Sequence, residues 1–250
     1  MSPLPGLPKD DSPQLKILCA GAARGLVKAL QESFASATGA AVCGRFGAVG
    51  AMKEALMAGE PCDLMIVSDA MVDELAGSGH LDAASRRPLG RVRTGVAVRE
   101  GEARPDIGSA QALRATLLAA AGLYFPDPVR STAGIHFAGV LRTLGIHDDL
   151  AGRFHTYPNG ATAMRELAAS RGPGLIGCTQ VTEINYTDGV VLVGALPREF
   201  ELSTVYTAAV GANAARPDLA GRFIALLAGE QHAELRRAGG FEAADRLDRH

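Results

Sequence analysis

The feature that most constrains this chain is an alternation: short apolar runs give way to helical stripes, joined each time by turns of small residues. Residues 15–20, Leu-Lys-Ile-Leu-Cys-Ala, predict a strand, and Gly21-Ala22-Ala23-Arg24-Gly25 a tight turn. A helix follows over 26–36, with Leu26, Leu30 and Phe34 on one stripe. Residues 41–46 predict a second strand, and Gly47-Ala48-Val49-Gly50 a turn into a helix that Gly59 ends. Residues 63–67 predict a third strand, leading through Ser68-Asp69 into another helix. Strands that recur with a helix between each pair run parallel, because the helix carries the chain back to the same edge of the sheet. The fold class is therefore α/β, with mostly parallel sheet flanked by helices.

Beyond residue 90 the pattern continues with new partners. Strands are predicted at 93–98, 123–125, 175–178, 190–193 and 204–210, and helices at 110–121, 133–144, 161–170, 219–227 and 230–238. A chain of 250 residues can build one large domain or two lobes. Aromatics are 5% and Trp is absent, so the core is aliphatic and stacking platforms for sugars or bases are scarce. With 25 basic against 27 acidic side chains and no basic stripe, nucleic acid is not an expected partner. No apolar run is long enough to span a membrane, so no membrane insertion is expected.

The first fourteen residues hold Pro3, Pro5, Pro8 and Pro13 with Asp10 and Asp11, which reads as a disordered leader and not as a secretion signal. Cys19, Cys43, Cys62 and Cys178 fit no zinc spacing and read as free thiols. His147-Asp148-Asp149 lies too close along the chain to converge on an ion, so no metal or other cofactor is expected. The expected compartment is the cytoplasm, or the periplasm where a native export signal is missing from this sequence. There is no nucleophile elbow and no P-loop, and the turn after the first strand matches a dinucleotide fingerprint poorly.

The order of segments resembles the molybdate-binding-like branch of the type II periplasmic solute-binding proteins of ABC importers. The carriers are the strand and turn over 17–25, Phe46-Gly47-Ala48-Val49-Gly50-Ala51, and Ala58-Gly59-Glu60-Pro61-Cys62-Asp63-Leu64-Met65-Ile66. Further carriers are Asp127-Pro128, Thr132-Ala133-Gly134-Ile135, Leu144-Gly145-Ile146, Gly189-Val190, Gly194-Ala195-Leu196-Pro197 and Ala238-Gly239-Gly240-Phe241. The resemblance implies two lobes joined by crossovers near 93–98 and 202–206. Lobe 1 would be 15–94 plus 205–250, and lobe 2 would be 95–204, with a ligand in the cleft between them. It also implies a monomer, and an ABC permease as partner if the chain is exported.

The chemistry of that cleft can be read from the residues. Three helices start in small, glycine-bearing turns, at 21–25, 47–50 and 131–134. A helix start offers unpaired N–H groups and the positive end of the dipole, and small side chains let an anion reach them. Candidate ligand contacts are Ala22, Ala23, Arg24, Arg45, Gly47, Ala48, Val49, Gly50, Arg130, Ser131, Thr132, Ala133, Asn159, Gly160 and Gln180. The arginines either face the cleft, where guanidinium forks suit carboxylates, or are solvated surface charges. In the molybdate binders, serine hydroxyls in the first two turns and a late tyrosine hold the oxyanion. Here Ala22 or Ala23, Ala48 and Gln180 stand at those places, and only the small residue at Ala133 is kept. That departure favours an organic di- or tricarboxylate over molybdate.

Two functions follow: a solute-binding or sensing protein, or an isomerase that moves a proton on a small polycarboxylate, since aconitate isomerases are similar to this branch. The candidate bases are His136, Tyr157 and Glu183. His136 also reads as a packed or surface histidine, and Glu183 as a helix cap.

Overall fold

The computed structural model describes residues 13–243. Of the expected 1–14 leader, residues 1–12 lie outside the described residues, and Gln14 already pairs with Ala41 as the first residue of a strand. Strand β1 (Gln14–Ala20) passes through a 3₁₀ turn (Gly21–Ala23) into helix α1 (Arg24–Thr38). Then β2 (Ala41–Gly47) leads to α2 (Val49–Met57), and β3 (Leu64–Ser68) to α3 (Asp69–Gly77). β1 lies between β2 and β3, parallel to both. The stripe that predicted α1 is the face it buries: Leu26, Val27, Leu30 and Phe34 are in the core while Lys28 and Ala29 are exposed.

The next strand, β4 (Arg87–Arg99), begins six residues before the predicted 93–98. Arg87, Arg91 and Arg93 dilute the hydropathy of its first half, although Leu89 and Val92 between them are buried. After it come α4 (Ala110–Ala119), β5 (Gly122–Pro126), α5 (Thr132–Thr143), α6 (His147–Leu150), β6 (Phe154–Tyr157) and α7 (Gly160–Ala169). The chain continues through β7 (Leu175–Gln180), α8 (Val181–Asn185), β8 (Val190–Ala195), β9 (Ser203–Val210), α9 (Pro217–Ala228) and α10 (Ala233–Gly239).

β4 belongs to two sheets. Its first half pairs antiparallel with β9, which in turn pairs with β3, giving the order β2-β1-β3-β9-β4. Its second half pairs antiparallel with β7 and β8, and β5 lies parallel between β7 and β6. Each sheet has its own core, so the molecule has two lobes. Around the first sheet, Phe34 of α1 meets Phe223 of α9 with ring centroids 4.7 Å apart. The second sheet is covered on both faces, and its strands alternate accordingly. Leu123 and Phe125 of β5 join one core with α4 and α5, while Tyr124 between them joins another with α7.

The lobes meet along helix starts. The Gly50 amide of α2 donates to the Arg130 carbonyl before α5 at 3.4 Å, and Arg130 Nε lies 3.5 Å from Glu54 Oε1. No helix among the described residues is long and apolar enough to cross a membrane.

Candidate functional site

Strands that end at the interlobe boundary deliver their following helices there, start first. The 3₁₀ turn before α1, α2, α5, α7 and α8 all begin around one hollow of about 10 Å³. Its walls are Ala20, Gly21 and Ala22; Gly47, Ala48 and Val49; Ser131, Thr132 and Ala133; Asn159; Gln180 and Glu183; and Tyr206 of β9. At the starts of α2 and α5 the residues Ala48 and Ser131 make no capping bond with their side chains, whereas at the start of α8 the Glu183 carboxyl accepts from the Gln180 backbone amide. Apart from the Gly50 amide, which the Arg130 carbonyl takes, the first N–H groups of α2 and α5 are available to something else. α7 differs, because the Asn159 side chain accepts from the Thr162 amide at 2.9 Å.

The polar side chains in the walls are buried. Gln180 is 2% exposed; its amide makes no hydrogen bond of normal geometry, and the one polar group that interacts with it is the Tyr206 hydroxyl, whose pKa it lowers. An unmade bond on a buried amide costs roughly 1–3 kcal/mol, so its retention beside a hollow marks a group set up for a partner. Burial, with the Glu183 carboxyl and Cys19 nearby, pushes the Tyr206 phenol up, which leaves a neutral O–H. Neither glutamine nor a protonated phenol repels an anion.

Glu183 is the one carboxyl in the walls. Burial raises its pKa, against opposing hydrogen bonds from Thr179 Oγ1 at 2.5 Å and from the Ala161 amide at 3.2 Å. It fits because two neighbours lack side chains: a Cβ on Gly21 would collide with one carboxyl oxygen, and a Cβ on Gly160 with the other and with the Thr179 hydroxyl. Gly21 comes from the first lobe and Gly160 from the second, so the carboxyl is clasped between them.

The structure brings together Ala22, Gly47, Ala48, Val49, Ser131, Thr132, Ala133, Asn159, Gln180 and Glu183 of the expected residues. It places the others elsewhere. Ala23 is fully buried in the first core. Arg24 turns back over the Phe46 ring, 5.8 Å from its centroid, and borders a separate groove. Arg45 pairs with Glu60 at 3.0 Å, and Arg130 reaches Glu54, both over half exposed. Gly50 packs its backbone against Arg130, and Gly160 packs against Glu183. His136 Nε2 donates to the Phe200 carbonyl at 2.7 Å. Tyr157 stacks over Tyr124 with centroids 6.1 Å apart. A turn position fixes where a backbone goes but leaves a long side chain free to find the nearest carboxylate, which is why the arginines strayed. Tyr206 escaped notice because it sits mid-strand, where burial looks like packing; only the pairing of Ser68 with Tyr206 brings it to the helix starts.

Residues 15–242 match the family model described as bacterial extracellular solute-binding protein. The chain belongs to that family. A curated relative, an aconitate isomerase from Pseudomonas sp, is 24% identical over 226 residues, covering 88% of this chain and 84% of the relative. The periplasmic molybdate-binding protein of Azotobacter vinelandii superposes with TM-score 0.75 at 21% identity, covering 92% of this chain and all of that one. The sulfate-binding protein SubI of Mycobacterium tuberculosis gives TM-score 0.69 at 18% identity, over 94% of this chain and 88% of that one. This solute-binding protein thus has the two-lobed type II fold, of the molybdate-binding-like kind. Among the described residues no cluster of three or more His, Cys, Asp or Glu could hold a metal ion.

Proposed function

We propose that this chain binds a small anion between its lobes, as a solute-binding or sensing protein. The observation that carries the reading is the convergence of helix starts, those of α2 and α5 without a side-chain cap, on a hollow where the buried Gln180 amide has only the Tyr206 hydroxyl beside it. Helix starts put partial positive charge at the anion without a mobile cation, and the walls are too small to block its approach. The finer assignment is an organic di- or tricarboxylate. It rests on the alanines standing where molybdate binders carry hydroxyls, and on a relative named for a tricarboxylate. The family's extracellular description supports work in the periplasm, and delivery of the ligand to an ABC permease by a monomer belongs to the same proposal. A thermal-shift panel of di- and tricarboxylates against molybdate and sulfate tests the reading, since a ligand held by the folded state raises Tm by mass action. No shift with any anion would sink it.

A second reading is favoured by Glu183. A carboxyl whose pKa is raised by burial works as a base nearer neutral pH, and it is the expected candidate base that lines the hollow. On an allylic tricarboxylate it would take a proton from the methylene carbon as the double bond shifts, then return one to the far carbon, with no net redox change. Incubation with cis-aconitate in D2O, followed by NMR, tests this: isomer and deuterium appear together, and Glu183→Gln removes both. Binding without exchange leaves the receptor reading alone.

A further inference from the structure

Beside the hollow, on the other side of Glu183, lies a groove of about 980 Å³ between the lobes. Its walls are one face of α1, with Arg24 and Lys28 one turn apart, and one face of α7, with Arg165. The hollow and the groove share Gly21 and Glu183 as a common wall. None of the three cations is in an ion pair among the described residues. Arg165 has a bond to the Thr162 hydroxyl at 3.0 Å, and the buried Nε of Arg24 has no acceptor. Against these three charges the groove sets exposed Asp188 and the buried Glu183, whose carboxyl is already held by the Thr179 hydroxyl and the Ala161 amide. Between them the floor is alanine: Ala29, Ala161 and Ala168.

We infer that this groove is a second anion site, holding the remaining carboxylates of an aliphatic polycarboxylate whose first carboxylate sits on the helix starts. The inference rests on the anion-binding reading of the hollow and deepens it. Size decides between the two spaces. At about 10 Å³ the hollow is at the scale of one water, so a carboxylate enters it only as Gly21 and Glu183, on opposite lobes, part, and no tricarboxylate skeleton fits there. The groove has the volume of a small-molecule site, about 300–1,000 Å³. Charge agrees: neutral backbone donors on one side of the common wall suit one carboxylate, and three unpaired cations on the other suit the rest. The alanine floor gives a short aliphatic skeleton a surface to lie on, with the Tyr186 ring in the wall beside it.

The test is calorimetry on the full chain with tricarballylate, in the unmodified protein, in the double variant Lys28→Gln/Arg165→Gln, and in Gln180→Leu. Lys28 and Arg165 are exposed, so the double variant keeps its fold, checked by its melting temperature. The expected result is about tenfold weaker binding in the double variant and a loss in Gln180→Leu as well. A double variant within about twofold of the unmodified chain, with Gln180→Leu still impaired, overturns the groove and leaves the hollow standing. A loss confined to the double variant keeps the groove and removes the hollow. An unmodified chain that binds no tricarballylate overturns both.

Discussion

The two lobes contribute to the hollow in different currencies. The first brings Ala20, Gly21, Ala22, Gly47, Ala48 and Val49, with Tyr206 as its one polar side chain; the second brings Ser131, Thr132, Asn159, Gln180 and Glu183. One half offers mainly backbone, and the other mainly functional groups. The contrast teaches that small residues at a helix start are an active choice. They leave N–H groups exposed on one side so that side chains on the other can select what lies between.

Substitutions can break that division. The largest effect is expected from Ala48→Leu, which puts bulk into the bare side. Anion binding should fall by about a hundredfold or more while Tm changes by only a few degrees, about 2–4 °C per kcal/mol lost. Calorimetry showing near-normal affinity would mean the ligand does not meet this wall. Gly160→Ala comes next. Alanine normally gains about 1 kcal/mol in a helix, yet here its Cβ meets Glu183 and Thr179 in a closed space, so a net loss of about 1–3 kcal/mol is expected in denaturant unfolding. Stabilisation instead would show that the Glu183 carboxyl is not clasped.

Gln180→Leu sharpens the second-lobe side. It removes an amide that makes no internal bond of normal geometry beyond its contact with the Tyr206 hydroxyl, so stability should change by no more than about 1 kcal/mol while affinity drops about tenfold. A large fall in both would mean that the amide serves to hold Tyr206 and the fold, not the ligand. Glu183 gives a pH test. Its pKa is raised in the folded chain, so its share of stability is present below the ordinary carboxylate range and is lost as pH rises through the folded value. Melting curves across mildly acidic to neutral pH should therefore decline less steeply in Glu183→Gln; parallel curves would argue that the group ionises freely. The smallest effect belongs to Arg130→Gln. Its pairing with Glu54 is over half exposed on both sides, so a stability change within about 0.5 kcal/mol is expected.

The alternation of strands and helices was legible because each element is amphipathic at its own period, as α1 and β5 illustrate. The turns at 21–25, 47–50 and 131–134 were legible because runs of small residues between a strand and a helix stand out in the sequence, although Gly21, Gly25 and Gly134 are also small because neighbours press on them. Side-chain destinations were not. Arg45 lies on β2, at the edge of its sheet, where Glu60 is its partner; nothing local distinguishes it from an arginine that turns inward. Short β6 was missed because His155 and Thr156 are exposed and no hydrophobic alternation survives in four residues. Tyr206 and the clasp on Glu183 depend on contacts between distant segments, which no window along the chain contains.

β4 carries one further consequence. It is a single unbroken strand with half its hydrogen bonds in each lobe, and beside its midpoint the Thr94 amide donates to the Leu202 carbonyl at 3.0 Å. Any swing of one lobe on the other must twist this pair of strands like a torsion bar. The Thr94 and Ser203 hydroxyls at that point are buried and unpartnered, so the twist breaks no side-chain bond of theirs. The lobes are thus tied at this strand and touch again at the helix starts, through the Gly50 amide on the Arg130 carbonyl and Arg130 beside Glu54.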